Sequence, residues 1–584
     1  MIFYDFEVFK FDWLITAIDP EKRLTHRIWN DRESFTAFCE DHKYDIWVGC
    51  NNAHYDQYIK KAILCDLNPK AVNDWIIVDN LPGWQFSQLF NKFKFIEYDV
   101  LTRIDRGLKV WEGFLGNRIK ESSIPFNIQR RLTDEEKAET EKYCETDVLN
   151  TIEVFLNKKN DFDAIMGLIS MFPETLSIWD VGRTKAQISA KILECHKVKR
   201  DDEFDLSVLP CIRIDKYKYA AEWYMRFRNH PSTDAKDIYS QKLKMMIAGL
   251  EHSISWGGIH AGKTQYHNSG VKQGRQIWHV DVASFYPRLM IFHNLLTRNS
   301  RKPEKFKQIY DKRIQLKHEG KKAEQAPLKI VINGTFGISK SDTSDAYDPR
   351  NANLICLNGQ LMLIDLIEHL ETIPGFELIQ SNTDGLIISL PDTDVAFNRM
   401  DDICYEWETR CNMALEFDEI TEIYQKDVNN YVFRFSNGKI ERKGAYVKEL
   451  GALDYDLPIV NKALVDFMMN HVPVERTILN CDDLKEFQQI KKIGQMYEYI
   501  VHGQKRIPER VIRCFASKKP SDGGLFMKHN KKTKLDKIAG TPEHAFLWND
   551  SVAGVKCPDQ LNKQWYINLA LERLDDFGVL GNDR

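Results

Sequence analysis

Val280-Asp281-Val282-Ala283-Ser284-Phe285-Tyr286-Pro287 is the stretch from which the rest of the chain can be read. A carboxylate ends an apolar run containing Ile277, Trp278 and Val280, and a small polar residue, two aromatics and a proline follow. An aspartate in such company is costly to bury unless a cation meets it. Alone, it reads as readily as a strand-end residue capping a turn. A second acid shifts the balance. Asp384 lies in Gln380-Ser381-Asn382-Thr383-Asp384-Gly385, between the apolar runs Phe376–Ile379 and Leu386–Leu390. Two strand-flanked carboxylates drawn from distant parts of a chain are what two-metal phosphoryl transfer requires.

The chain has 584 residues, too many for one core, and should divide into several units. Hydrophobic residues at 43% and charged ones at 28% describe an ordinary globular composition. The net charge is only −4, so any surface for a polyanion must be local. No run of eighteen apolar residues occurs, and Met1–Asp5 lacks the basic-then-apolar pattern of a secretory signal. The 12 cysteines form no C-x-x-C pair, which argues against a zinc knuckle or iron–sulfur site and for reduced thiols in a cytoplasmic protein.

The first fifty residues read as strand, strand, strand, helix, strand: Met1–Phe6, Trp13–Ile18, His26–Trp29, Arg32–His42, Asp45–Gly49. Such an order suits a mixed sheet of the ribonuclease H type. Asp5 and Glu7 are two apart on the first strand and so face one side. Asn52-Ala53-His54-Tyr55-Asp56 follows a strand and opens a helix. Thr133-Asp134-Glu135-Glu136 is a capping-box start for a helix running to about Phe155, on which Tyr143 and Asp147 lie one turn apart. Each acid alone is as well explained by structure. As an ordered set, Asp5, Glu7, Asp56 and Asp147 have the make-up of a site for two Mg²⁺ ions, with Tyr143 hydrogen-bonding an attacking water.

These three segments resemble the Exo I, Exo II and Exo III motifs of the DnaQ-like 3′–5′ exonuclease domain of DNA polymerases. The resemblance implies that Asp5, Glu7, Asp56 and Asp147 carry metal, that Tyr143 orients the nucleophile, and that Asn52 contacts DNA. Leu108-Lys109-Val110-Trp111 resembles the lysine-bearing segment of small phage polymerases, which would bring Lys109 to DNA.

Val280–Pro287 resembles motif A of family B DNA polymerases, with Phe285 at the usual leucine position. The resemblance makes Asp281 and the Val282 carbonyl metal ligands, places Ser284 at the nucleotide, and makes Tyr286 a steric gate against the ribose 2′-hydroxyl. Lys329-Ile330-Val331-Ile332-Asn333-Gly334-Thr335-Phe336-Gly337 resembles motif B: Lys329 and Asn333 would meet the triphosphate, with Phe336 and Gly337 against DNA. Arg313 and Lys317, four apart on the preceding helix, match the second pair of phosphate contacts. Motif C usually reads Y-x-D-T-D-S. Here its second Asp is Asp384, its first is replaced by neutral Asn382, and its Ser by Gly385.

Ser255-Trp256-Gly257-Gly258 resembles the Y-x-G-G segment, where Gly257 and Gly258 would admit DNA backbone. Lys426, Asn430, Tyr431 and Lys443 fall where the family has its primer grip. Between Lys485 and Ala539 there are fourteen Lys or Arg against five Asp or Glu, with Tyr497, Tyr499, Phe515 and Phe526 interleaved. That suits a thumb on duplex phosphates, or a solvated basic surface.

The expected fold is therefore α/β and α+β multidomain, a ribonuclease H-like exonuclease domain plus a right-hand polymerase. Its expected division is an exonuclease at 1–190, a linker and start of palm at 191–262, and palm with motif A at 263–302. Fingers follow at 303–340, palm with motif C and primer grip at 341–454, and a thumb with the C-terminal DNA-binding region at 455–584. Two Mg²⁺ per site, with Mn²⁺ as a substitute, primer–template DNA and dNTPs are the expected cofactors and partners. A helicase, primase, single-strand-binding protein or processivity factor is an expected accessory, and no membrane is. Asp5 lies too near the start for the extra N-terminal domain of larger family members. Asp281 and Lys329 are 48 residues apart, and Lys329 and Asp384 are 55 apart. That leaves little room for the insertions of protein-primed relatives and implies a compact phage or mobile-element polymerase in a bacterial cytoplasm. A nuclease-dominant repair protein and a non-catalytic DNA-binding scaffold are the alternatives.

Overall fold

The strand Ile2–Val8 (β1) is buried along almost its whole length, as an inner strand is, and it pairs antiparallel with Trp13–Asp19 (β2) and parallel with Ile46–Gly49 (β4). With Leu24–Trp29 (β3) and Ile96–Asp99 (β5) they form a mixed sheet of order β3-β2-β1-β4-β5. The computed structural model describes residues 1–101, 106–530 and 534–580. Among these the chain is a mixed α/β protein of two compact units. No helix among them is long and apolar enough to cross a membrane.

The first unit comprises Met1–Arg183, Leu450–Pro458 and Cys481–Tyr566. Its sheet buries Tyr4, Phe6, Ile15, Phe35 and Trp47 against the helices Arg32–Asp41 and Asp56–Leu64. The helix Asp134–Asn157 begins at the capping box read from the sequence: Thr133 Oγ1 accepts from Glu136 N (3.2 Å), and Glu136 Oε2 accepts from Thr133 N (2.9 Å).

After 455 the described residues hold the helices Pro458–Asn470, Val474–Leu479 and Lys563–Asp576, and the longer regular elements between Cys481 and Asn562 are strands. Gln489–Lys492, Val511–Ala516 and Ala545–Leu547 make one antiparallel sheet. Lys505–Ile507, Tyr497–His502, Phe526–Asn530 and Leu535–Lys537 make another. The segments of 455–584 divide between the two units. Phe515 and Phe526, read as interleaved with a basic surface, are core residues, whereas Tyr497 and Tyr499 lie under Lys528 (4.2 Å) and Arg506 (3.9 Å). Lys531 and Lys532 of the basic stretch lie outside the described residues.

Arg513 is fully buried within this first unit, with no acidic partner among the described residues. Its guanidinium donates to the carbonyls of Gly113 (2.9 Å), Asn117 (2.8 Å) and Asp550 (2.7 Å) and to Gln488 Oε1 (3.1 Å). The returning segment is thereby fastened to the C-terminal end of the helix Leu108–Leu115, where unpaired carbonyls need donors.

The second unit comprises Thr184–Glu449, Ile459–Asn480 and Ile567–Arg584. Its ten-stranded sheet is built from Leu243–Ile247 (β6), Leu250–Ile254 (β7), Ile259–Gly262 (β8), Tyr266–Asn268 (β9), Arg275–Val282 (β10), Glu377–Ser381 (β11), Gly385–Pro391 (β12), Leu415–Asp427 (β13), Asn430–Phe435 (β14) and Ile440–Lys443 (β15). The order is β15-β14-β13-β10-β12-β11-β8-β7-β6, with β9 on β13. Ile277, Ile387, Ile420, Ile423, Phe433 and Phe435 share a cluster on one face. Ile420 and Ile423 both reach it because a bulge interrupts the register between them. The helix Pro349–Leu370 is buried along almost its whole length. Pro303–His318 and Lys322–Lys340 are the two helices expected from the sequence between 303 and 340.

Two candidate carboxylate centres

In the first unit, alternation along β1 puts Asp5 and Glu7 on one side of the sheet. Oxygen atoms of both, with Sγ of Cys144, lie within 4.8 Å of one another. Asp56 opens its helix with Oδ1 accepting from Phe6 N (3.3 Å), so the acid is tied to the backbone between Asp5 and Glu7. Asp147 arrives from the helix Asp134–Asn157, where its Oδ1 accepts from Lys109 Nζ at 2.6 Å. Burial, and then the Asp147 charge, push the Asp5 carboxyl up to about 7. Burial and neighbouring acids raise Glu7 and Asp56 as well, and burial raises Asp147 against the pull of Lys109 and Tyr143.

Four buried carboxylates facing one lysine need protons or further cations. The donors are hard oxygens, which suits Mg²⁺ or Mn²⁺. The thiol of Cys144 does not join them: burial, then Asp5, raise its pKa, and it donates toward Asp5 Oδ2 at 3.7 Å.

Lys109 is not a surface lysine. It is half enclosed between Asp147 and Glu112 (3.1 Å) and stands 4.6 Å from the Tyr143 ring. Burial opposes its charge, but the two acids outweigh it and hold the ammonium above its usual pKa. Asn52 is also fully buried, its Nδ2 donating to Glu97 (2.8 Å) and its Oδ1 accepting nothing. Glu97 in turn pairs with Lys60 (2.6 Å), whose ammonium lies over the rings of Trp47, Phe95 and Tyr4. Glu112, Cys144, Glu97 and Lys60 were not singled out in the sequence. Helical spacing alone could have flagged Glu112, three residues past Lys109.

In the second unit, β10 carries Asp281 opposite Gly385 of β12 and Glu416 of β13. The turn bearing Asp384 is closed by Asn382 N donating to Gly385 O (2.8 Å), while Val282 N donates to Asp384 O (2.8 Å). Asp281 and Asp384 thus line one cavity of about 260 Å³, with Asn382, Gln380, Tyr431, Glu441 and Lys443. A Cβ at Gly385 would stand 2.8 Å from Asp281 Oδ1 and 2.9 Å from Val280 O. That explains glycine where the family motif has serine. Burial, then Asp384, Glu416 and Glu441, push Asp281 up to about 7.

Ser284 follows at φ 52°, a left-handed conformation that a non-glycine residue adopts at a cost, and its Oγ accepts from Arg313 Nη1 (3.3 Å). Lys317, one turn along, pairs with Glu416 (2.8 Å). Lys329, Asn333 and Gly337 lie on the exposed stripe of the helix Lys322–Lys340, and the Phe336 ring packs 4.5 Å from that of Tyr286. Tyr286 is mostly enclosed, with its hydroxyl turned toward the Cys356 thiol.

The remaining expected DNA contacts separate. A Cβ at Gly258 would meet Thr383 Oγ1 at 2.7 Å, whereas one at Gly257 meets nothing nearer than 3.9 Å. Lys426 pairs with Asp576 (3.3 Å), and Asn430 Nδ2 folds back onto Asp427 (3.1 Å). Tyr431 sits in the sheet cluster with its edge on the cavity, and Lys443 lies opposite it. Glu416, Glu441 and His260 are the residues of this centre that sequence reasoning missed.

No family model matches the chain. Over 199 residues, 33% of its length, it is 21% identical to DNA polymerase 1 of Sulfurisphaera ohwakuensis. Over 198 residues, again 33%, it is 22% identical to DNA polymerase 1 of Saccharolobus solfataricus. The family B DNA polymerase of Pyrobaculum calidifontis aligns with 100% of this chain and 78% of its own at a TM-score of 0.42 and 12% identity. A third of the chain is therefore similar in sequence to archaeal DNA polymerases, and the match spans 21% of each of those relatives.

Proposed function

We propose that this chain is a template-directed DNA polymerase of the family B type, as carried by phages or mobile elements, with a 3′–5′ proofreading exonuclease in its first unit. The observation that carries the reading is the meeting of Asp281, on β10, and Asp384, in the turn between β11 and β12, in one cavity. Beside them a basic helix reaches Ser284 and Glu416 through Arg313 and Lys317. The sequence similarity to DNA polymerases over a third of the chain supports the same substrates, primer–template DNA and dNTPs.

Asp281 and Asp384 would hold Mg²⁺, or Mn²⁺ in its place, through an all-oxygen donor set. Bound there, such ions acidify the primer 3′-hydroxyl and offset charge on the departing pyrophosphate. The chain's own groups do the positioning. Arg313 keeps a buried Nε without an acceptor, so it has a donor to spare for a phosphate oxygen. Lys329 and Asn333 present an exposed cation and amide one turn apart. The Tyr286 ring, braced by Phe336, fills the space a ribose 2′-hydroxyl would take.

In the first unit Asp5, Glu7, Asp56 and Asp147 would hold the same ions. Tyr143 would orient the attacking water, and Lys109 keeps Asp147 in place. Asn382, neutral where the motif is acidic, favours one rival, an enzyme in which degradation dominates synthesis. A primed template with dNTPs and Mg²⁺, read at nucleotide resolution, tests the proposal. Synthesis should be lost in Asp384→Ala with degradation intact, and degradation lost in Asp5→Ala with synthesis intact. A parent protein that only degrades would sink the polymerase reading, and one that binds DNA with neither activity would leave a scaffold.

A further inference from the structure

The geometry points to Glu441 as the carboxylate that makes good the charge missing at Asn382, a third oxygen donor toward a divalent cation in the Asp281–Asp384 cavity. The inference rests on the polymerase reading above.

Strand register puts Glu441 there. On β10, His279 and Asp281 share a face with Ile277, and opposite them on β12 stand Ile387 and Gly385. Across the sheet, Glu441 of β15 is paired with Phe433 and Lys443 with Tyr431. Residues directly opposite in an antiparallel pair project to the same side. Phe433 and Tyr431 belong to the cluster that holds Ile277 and Ile387. Glu441 is therefore on the face of Asp281, and it lines the same cavity. A shift of one residue along β15 would carry it to the other face.

Asn382 is poorly placed to do this work itself. His260 Nδ1 lies 3.1 Å from its Oδ1, and in the tautomer with the proton on Nδ1 the ring N–H occupies one lone pair of that oxygen, which carries no charge for a cation. Glu441 has no comparable commitment: its ion-pair partner is Lys439 at 4.0 Å, on a side chain two-thirds exposed.

An independent sign of an absent ligand comes from Gln380. This residue is 3% exposed and lines the cavity; its amide group reaches the Tyr431 hydroxyl, while its Oε1 is buried with no hydrogen-bond partner. A buried acceptor left so costs about 1–3 kcal/mol. A hydrated cation among Asp281, Asp384 and Glu441 supplies the missing donor. Lys443 also borders the cavity, but one ammonium does not offset three carboxylates.

Mn²⁺ binding to the full-length chain, followed by electron paramagnetic resonance with no DNA or nucleotide, tests this. The component lost in Asp281→Asn identifies the site. Glu441→Gln should weaken that component by about tenfold or more. Asn382→Asp, added to Glu441→Gln, should restore it, with a cooperative thermal unfolding transition confirming that each variant folds. Parent-like Mn²⁺ binding in Glu441→Gln overturns the inference, and so does a loss that Asn382→Asp fails to restore. Primer extension by the parent reads the polymerase proposal separately. If the parent extends primers while Glu441→Gln binds Mn²⁺ normally, only the role of Glu441 falls.

Discussion

Asp281 is held where an aspartate would not choose to be. Its carboxyl titrates near 7 in the fold against 3.8 when free, so the folded chain holds that proton more tightly than the unfolded one. The stabilisation from protonation is complete below about pH 4 and is lost as pH rises through about 7. In chelator, the melting temperature of Asp281→Asn should match the parent near pH 4.5 and exceed it by a few degrees above pH 7.5. Saturating Mg²⁺ should shrink the gap by stabilising the parent. Thermal melts across pH decide this, and a gap that is constant with pH would show that Asp281 is not strained by its neighbours. That Asp5 and Glu7 share a face was legible because alternation along a strand places i and i+2 on one side. The inward turn of Asn52 and the enclosure of Lys109 were not, because each depends on a partner, Glu97 or Glu112, that belongs to no recognised pattern.

Among elements, the loop before β8 and the turn between β11 and β12 approach closely at the second centre. Gly258 makes it possible, since any Cβ there would overlap Thr383 Oγ1. Gly258→Ala should cost about 1–3 kcal/mol through overpacking. Thr383→Ala in the same chain should recover most of that loss. Gly257→Ala, with open space around it, should stay within about 0.5 kcal/mol of the parent. Equal effects of the two glycine variants in denaturant unfolding would refute the steric account. Helices at this scale were readable in outline: the capping box at Thr133 and the paired helices near 303–318 and 322–340 follow from local signals. The strands of 481–566 were not, because their partners are remote and basic, turn-rich sequence carries no helical or strand period.

For the whole molecule, the chain leaves the first unit after Arg183 and returns to it at Leu450 and Cys481. Arg513 is one polar fastening of that return, beside Lys485 and Gln488, which donate to the carbonyls of Leu115 and Phe114. Arg513→Met would leave four oxygens without their donor and should destabilise the first unit by about 3–5 kcal/mol. Arg513→Lys should recover little, because an ammonium cannot span a fork of carbonyls. Hydrogen exchange in the Asp134–Asn157 helix would read the loss in this unit, and protection equal to the parent's would show that the return is held by apolar packing alone.

By itself the sequence determined which side chains carry charge and chemistry, where short-range periodicity sets helix and strand, and which acids share a face. These follow from covalent spacing and from local hydrogen bonding, both of which a reader of residues can apply. The tertiary structure alone decided that Asp281 meets Asp384 and Glu441 in one cavity and that Asn382 is taken by His260. It also decided that Lys109 bridges two acids and that 481–566 folds back onto the first unit. Those outcomes rest on strand register and on burial, which arise only when segments far apart in the chain exclude water together.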